Sequence, residues 1–281
     1  MSNIFQGRNL LIATKHEKEK VITPIFEKEI GVKCFVSPAI DTDEFGTFTG
    51  EVDRKDDPLT TVRNKCLMAM KITACDMAIA SEGSFGPHPS ILFMPADDEF
   101  IIFIDHKNKL EIIERVLSTD TNFNGKEIRT EKELVDFAKS IKFPSHGLIL
   151  KKSKVENAEL IKGIRDWNLL ITSFHVLLNK YGQVYVMTDM RAMFNPTRME
   201  VIEKVATKLV KKIQSQCPEC STPGFGITAV IRGLPCSLCG LKTRSTLSFQ
   251  YTCTQCAYTK EDQFPHGKTE EDPMYCDFCN P

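Results

Sequence analysis

Four short repeats stand out for the chemistry they permit: Cys217-Pro-Glu-Cys220, Cys236-Ser-Leu-Cys239, Cys253-Thr-Gln-Cys256 and Cys276-Asp-Phe-Cys279. Two residues between cysteines let one tight turn aim both sulfurs at a single ion, and two such turns supply the four thiolates of a closed site. Eight thiols in four hooks therefore predict two structural zinc ions held by Cys217, Cys220, Cys236, Cys239, Cys253, Cys256, Cys276 and Cys279. An all-thiolate set leaves no open position for catalysis. The hooks can pair sequentially, nested or alternately. Loops 221–235 and 257–275 each suit a ribbon hairpin, which favours sequential pairing. His266 is a spare ligand or, as its place in a polar stretch favours, a solvated loop residue.

A second kind of chemistry is carried by three polar clusters near the other end. Thr14-Lys15-His16 with Lys18 follows an apolar run, where a helix N-terminus would offer amides to a phosphate. Arg63-Asn64-Lys65 lies early in a helix. Ser81-Glu82-Gly83-Ser84 places a carboxylate in what reads as a glycine loop after a strand. Cations and amides to grip a phosphate chain, with acids to carry a metal and orient water, are what triphosphate chemistry needs. The plainer interpretation makes Lys15 to Lys20 a solvated helix face and Glu82 a surface turn residue. A further group, Thr188-Asp189-Met190-Arg191 followed by Asn195-Pro196-Thr197-Arg198, leads into a helix N-terminus where the arginines, Arg191 among them, and the capping groups converge on an anion, or else forms an Asp189–Arg191 ion pair with an Asn195 cap.

The elements that must position these groups follow from periodicity. Asn9 to Thr14 reads as a strand, the stretch after Lys15 as a helix ended by Gly31, and Val32 to Val36 as a strand, so the chain opens with a βαβ unit and a parallel sheet. Asp57 before Pro58 predicts a helix start, with the helix running through Thr73. The acid-, glycine- and threonine-rich 41–57 insert reads as a binding loop or a mobile lid. Asp76 to Ala80 is the next strand, and Phe100 to Asp105 with Leu110 to Val116 form a hairpin. Thr130 to Ile141 reads as a helix and Gly147 to Lys151 as a strand. One or two helices are expected over Glu156 to Leu178 around Gly163, then a strand at Val184 to Thr188. From Asn195-Pro196 runs the clearest helix, with Met199, Ile202, Val205, Leu209 and Ile213 along one face. The fold class expected is α/β: a mixed, mostly parallel sheet flanked by helices over residues 1–214, then a small zinc-ribbon module over 215–281.

The order Ala13-Thr14-Lys15-His16, then Arg63-Asn64-Lys65, then Ser81-Glu82-Gly83-Ser84 resembles the inosine/xanthosine triphosphatase family, which shares a fold with Maf-like proteins. The resemblance covers roughly residues 9–90, with His16 at the family's loop asparagine and Glu19 at its lysine. It implies a magnesium-dependent nucleoside triphosphate hydrolase. Glu82 and an acid of the 41–57 insert, Asp57 among them, would hold metal. Thr14, Lys15, His16, Lys18 and Arg63 would bind phosphates, and Asn64 would tie helix to loop. The two-part layout as a whole resembles an uncharacterised bacterial family of unknown function. The other class of function compatible with the sequence is a non-enzymatic zinc-ribbon adaptor that senses a ligand and docks a partner.

Composition narrows the field further. Among 281 residues, 36 basic side chains face 37 acidic ones, so no whole-molecule field marks a nucleic-acid or membrane-surface protein. Within 217–281, Arg232, Lys242, Arg244, Lys260 and Lys268 are outnumbered by acids, which disfavours nucleic acid for the module as well. No stretch approaches the roughly 18 apolar residues of a membrane span, and no signal peptide is evident, so a cytoplasmic location and reduced thiols are expected. Cys34, Cys66 and Cys75 lie apart among apolar residues and read as small buried hydrophobes.

Overall fold

The computed structural model describes residues 3–40, 56–156 and 159–281. They divide into two compact units, Met1–Val210 and Lys211–Pro281.

In the first unit, β1 (Asn9–Ala13) is an apolar run with four of its five residues buried. It pairs in parallel with β2 (Lys33–Phe35) on one side and β3 (Met77–Pro87) on the other. Between β1 and β2 lies α1 (Glu19–Ile30), closed by Gly31 at φ 70, whose N–H donates to the Glu27 carbonyl. Glycine takes that left-handed cap without a Cβ penalty. α2 (Pro58–Thr73) starts where expected: the Asp57 side chain accepts from the Leu59 and Thr60 amides, and Pro58 takes the first turn, where no N–H is needed.

β3 departs from expectation. Ser81 to Ser84, expected as a loop, lies inside the strand, because β4 (Pro95–Asp105) pairs with it without a break from Met77–Asp105 to Pro87–Pro95. A continuous antiparallel partner supplies the ladder bonds that serine, glutamate and glycine would not hold on propensity alone. β5 (Leu110–Ser118) completes the order β2-β1-β3-β4-β5. The mixed α/β class stands, but among the described strands of this sheet parallel pairing is confined to β1 and its two neighbours; β3–β4 and β4–β5 are antiparallel. Val62, Cys66 and Ala69 of α2 pack with Leu11, Ala78, Ala80 and Ile102 of the sheet, fixing one helix face to one sheet face.

The rest of the unit is a four-stranded antiparallel sheet, order β6-β9-β7-β8, from β6 (Gly125–Ile128), β7 (Leu148–Lys151), β8 (Ile161–Ile164) and β9 (Val184–Thr188). α3 (Glu131–Ser140), opened by a Thr130–Glu133 capping box, and α4 (Trp167–Tyr181) bury Leu134, Phe137, Leu170 and Phe174 against it. β8 stands where helix was expected around Gly163. That glycine has φ 71, donates its N–H to Asp189 Oδ2, and has the Phe194 ring 2.8 Å from where a Cβ would lie. α5 (Pro196–Gln214) then buries Ile202, Val205, Leu209 and Ile213, as its periodicity predicts.

The second unit is a meander of β10 (Ile227–Arg232), β11 (Thr246–Thr252) and β12 (Thr259–Gln263), with the cysteine hooks at its strand ends.

Candidate functional site

Two sites emerge, one in each unit. In the first, β1 stops at Ala13, paired with Ala80, while β3 runs on. The chain leaving β1 turns back on itself, with the His16 amide donating to Thr14 Oγ1 at 3.3 Å. It then lays Lys18 against β3, where Nζ donates to Ser81 Oγ at 2.9 Å and to the Ser81 carbonyl at 3.3 Å. This is the carboxyl end of the parallel strands, where open α/β sheets bind ligands. Lys65 of α2 reaches the same strand and pairs with Glu82, both side chains buried.

The long hairpin adds two acids. Gly83 opposes Glu99 and Phe85 opposes Asp97, so the two carboxylates, two residues apart, share a face of β4. Arg198, one turn into α5, donates through Nε to Glu99 Oε1 at 2.5 Å and through Nη1 to the Met190 carbonyl at 2.6 Å. Its guanidinium lies 4.9 Å from the centre of the Phe85 ring. A Cβ on Gly83 would come within 2.5 Å of Arg198 Nη2 and closer still to Glu99 Oε1, so glycine is what lets this pair lie against the strand.

The electrostatics of the group are unusual. Lys18, Lys65, Arg198, Glu82, Asp97 and Glu99 are all buried, three cations with three acids. Burial, then the nearby Arg198 charge, lower Lys18 to about 8 against the pull of Glu99 and Glu82. Burial, then Glu99, push Asp97 up to about 8 against Arg198 and Lys18. Both Asp97 oxygens and Glu99 Oε2 lack a hydrogen-bond partner among the described residues. Such orphaned carboxylate oxygens are costly, and a proton on one Asp97 oxygen offered to Glu99 Oε2 would relieve two of the three.

Of the residues singled out by sequence, the structure thus brings Thr14, His16, Lys18 and Glu82 onto one strand end, with Lys15 exposed on the same turn. The others are engaged differently. Arg63 donates to Glu111 Oε1 through Nε at 2.9 Å and Nη2 at 2.5 Å. Asn64 donates to Asp56 at 3.4 Å, and Asp57 caps α2. Arg191 grips Asp189 at 2.6 and 3.0 Å and stacks on Phe194, while Asn195 accepts the Arg198 amide at 3.0 Å, which is the ion-pair-and-cap arrangement. Positions 41–55 of the acidic insert lie outside the described residues. Sequence reasoning missed Asp97 and Glu99, and it set Arg198 beside Arg191 in a separate anion-binding group rather than with Glu82. The one available signal was the acid run Asp97-Asp98-Glu99 leading straight into the apolar Phe100 stretch.

In the second unit the eight cysteines form two groups, Cys217, Cys220, Cys253 and Cys256 in one, Cys236, Cys239, Cys276 and Cys279 in the other. The pairing is alternate, which corrects the sequential pairing expected. The reason lies in the meander: each strand carries the chain to the opposite end of the sheet, so hooks one and three meet at one end and two and four at the other. Within the groups, Cys217–Cys256 and Cys220–Cys253 sulfurs are 3.7 and 3.6 Å apart, Cys236–Cys279 and Cys239–Cys276 3.8 and 3.7 Å. A tetrahedron with metal–sulfur bonds of about 2.3 Å has edges of about 3.8 Å, so both groups fit a four-coordinate ion.

Every hook is built alike. The residue after its second cysteine donates its amide back to the first: Ser221 to Cys217, Gly240 to Cys236, Ala257 to Cys253, Asn280 to Cys276, all at 2.9 to 3.0 Å. Ser221, Gly240 and Ala257 take left-handed φ values to do so. The thiols of each group are pushed apart: Cys220 is lowered to about 6 by the Thr222 hydroxyl and amide and Cys276 to about 7 by the Cys279 and Phe278 amides, while Cys279 is raised to about 12 by Cys239 and burial, and Cys256, against the Tyr258 amide, is raised to about 12 by Cys220. His266 belongs to neither group; it packs edge-on against Phe249 at 5.5 Å. No helix among the described residues is long and apolar enough to cross a membrane.

The family model described as "Domain of unknown function (DUF6671)" matches residues 65–281, more than three quarters of the chain. The chain belongs to the DUF6671 family. The match takes in Lys65, Glu82, Asp97, Glu99, Arg198 and all eight cysteines of this DUF6671 protein, and begins after the Thr14–Lys18 turn. No curated protein matches it. Among solved structures, that of protein VC0702 from Vibrio cholerae aligns at 7% identity over 73% of this chain and 94% of the other, with a TM-score of 0.33. At that score the likeness carries no argument about fold or activity.

Proposed function

We propose that this DUF6671 protein is a zinc protein whose N-terminal unit hydrolyses nucleoside triphosphates at the charged end of β3. The observation that carries the reading is the buried group of Lys18, Lys65, Arg198, Glu82, Asp97 and Glu99 with three carboxylate oxygens left unpartnered. Buried ionisable groups with displaced pKa values at a strand end mark a site of chemistry more than a scaffold. With Asp97 protonated the group carries one more positive than negative charge, which suits a phosphate chain. In this reading Thr14 and Lys15 bind phosphate from the turn and Lys18 from the strand end. Glu82, held by Lys65, orients the attacking water and accepts its proton. Asp97 supplies a proton to the leaving phosphate oxygen, so the P–O bond breaks as the new one forms.

Magnesium fits as an ion held by one or two of these carboxylates and by the substrate's own oxygens, since among the described residues no three acids converge on one position. It would neutralise phosphate charge when bound. Zinc fits both cysteine groups as a structural ion.

The test is phosphate or pyrophosphate release from a panel of nucleoside triphosphates, inosine and xanthosine forms included, with magnesium, by the intact protein and by Glu82→Gln. The expected result is turnover that falls about 10²- to 10⁴-fold in the variant. Equal turnover in both, or none on any nucleotide, overturns the reading in favour of a ligand-sensing adaptor.

A further inference from the structure

The second unit holds an open cleft of about 580 Å³ that no cysteine lines. That volume is of the size small-molecule sites have. Three stretches of chain meet in its walls. The end of β10 gives Val230 and Arg232, the segment leading into β11 gives Arg244 and Thr246, and the loop after β12 gives Lys268 and Glu271. That last loop is fixed by the backbone: the Glu271 amide donates to the Pro235 carbonyl at 2.8 Å, and the Glu271 carbonyl accepts the Ser237 amide at 2.9 Å. The walls therefore stand before any ligand arrives, and little ordering is left to oppose binding.

Charge at this end of the module nearly cancels. Lys268 pairs with Glu271 and Arg244 with Asp277, while exposed Arg232 and Lys242 equal exposed Glu270 and Asp272 in number. No long-range field selects a ligand here, so the lining of the cleft must. Of those last four residues only Arg232 lines it. Its guanidinium makes no hydrogen bond or ion pair among the described residues, and Arg244 is held through Nε alone, to Asp277 Oδ2 at 2.9 Å. Glu271, the one acid in the lining, already accepts from the Lys268 ammonium at 3.3 Å, from the Asp272 amide at 2.9 Å and from the Ser245 hydroxyl. The cleft thus offers donors, one positive charge without a partner, and apolar surface from Val230 and Leu234. A carboxylate meets a guanidinium fork with two parallel N–H···O bonds and balances that one charge. A polyphosphate would set several negative charges against Glu271 in the same walls.

We propose that this cleft binds a small carboxylate with an apolar body, the carboxylate on Arg232 and the body against Val230 and Leu234. The site stands apart from the hydrolase reading and survives its failure.

The probe is phenylbutyrate, titrated into the intact, metal-loaded protein and followed through the backbone amide signals in nitrogen–proton correlation spectra, with phenylbutanol as the uncharged analogue. Saturable shifts are expected in 230–246 and 264–271, with one phenylbutyrate per chain and about tenfold weaker binding of the alcohol. Arg232→Gln changes an exposed residue on an edge strand and should weaken phenylbutyrate about tenfold. Val230→Ser should weaken it several-fold by removing apolar contact. Two metal ions per chain check that the hooks remain formed in each variant; if Arg232→Gln loses metal, Val230→Ser decides. A variant that retains both ions and full affinity overturns the proposal. So does the absence of saturable shifts, equal binding of the alcohol, or displacement of phenylbutyrate from these residues by inorganic triphosphate. Binding weakened by Lys18→Met and not by Arg232→Gln would place the carboxylate in the first unit and overturns it as well.

Discussion

The charged strand end and the cysteine module are two ways of holding polar groups without an apolar core around each of them. The module repeats one short hook four times, and everything a hook needs lies within six residues. The strand end draws Lys18, Lys65, Glu82, Asp97, Glu99 and Arg198 from five separate stretches of chain, and no two of its ion pairs share an element pair. The first kind of site depends on metal, the second on long-range packing. Each should therefore break without the other.

The largest effect is expected from Cys276→Ser. Structural zinc contributes about 10–16 kcal/mol of apparent binding energy in small domains, so losing one thiolate should release one ion of two and melt the β10–β12 meander. Metal analysis with circular dichroism reads this; a second, unshifted transition from the first unit is expected to remain. A single transition lost as a whole would show that the two regions are not independent.

Next is Gly83→Ala. A methyl group there meets Arg198 and Glu99, so the ion pair must move off the strand. Leaving a buried charge unpaired costs about 3–5 kcal/mol, which denaturant unfolding of the first unit would register while zinc content stays unchanged.

Asp97→Asn sharpens the electrostatic side. With Asp97 near 8 in the fold and near its ordinary 3.8 unfolded, the folded state holds the extra proton between those values. Stability should then fall as pH rises from about 4 to about 8 and level off above. Lys18, lowered from 10.5 to about 8, works the other way: the unfolded chain keeps its proton between those values, so stability rises with pH over that window. The wild type should therefore show a minimum near pH 8, and the asparagine variant should lose the acid-side slope. Urea unfolding across pH 5–10 measures both.

The smallest effect belongs to Arg63→Ala. Its pair with Glu111 is more than a third exposed on each side, and such pairs contribute about 1 kcal/mol or less. Thermal unfolding should barely change; a raised KM for nucleotide would bring Arg63 into phosphate binding after all.

How much of this was legible in the sequence follows the same division. The hooks were readable because their chemistry is local. The α2 start was readable because Asp57-Pro58 is a complete signal in two residues. Hook pairing was misjudged because it depends on which sheet end each strand delivers, although the ribbon strand Thr246–Thr252 between the second and third hooks held the clue. Glu82 was expected in a loop but lies in a strand, since that strand is held by pairing with residues 95–105. Asp97 and Glu99 escaped, and Arg198 was grouped with Arg191 instead, because nothing near them in sequence names their partners: Arg198 meets Glu99 across nearly a hundred residues.

The central claim is that the end of β3 is an anion site served by Lys18. Calorimetric titration of inorganic triphosphate into the intact protein at pH 7, compared with Lys18→Met, tests it without reliance on turnover. The account predicts one triphosphate per chain and at least tenfold weaker binding in the variant, with metal content unchanged. No binding to the wild type, or equal affinity in both, would contradict it.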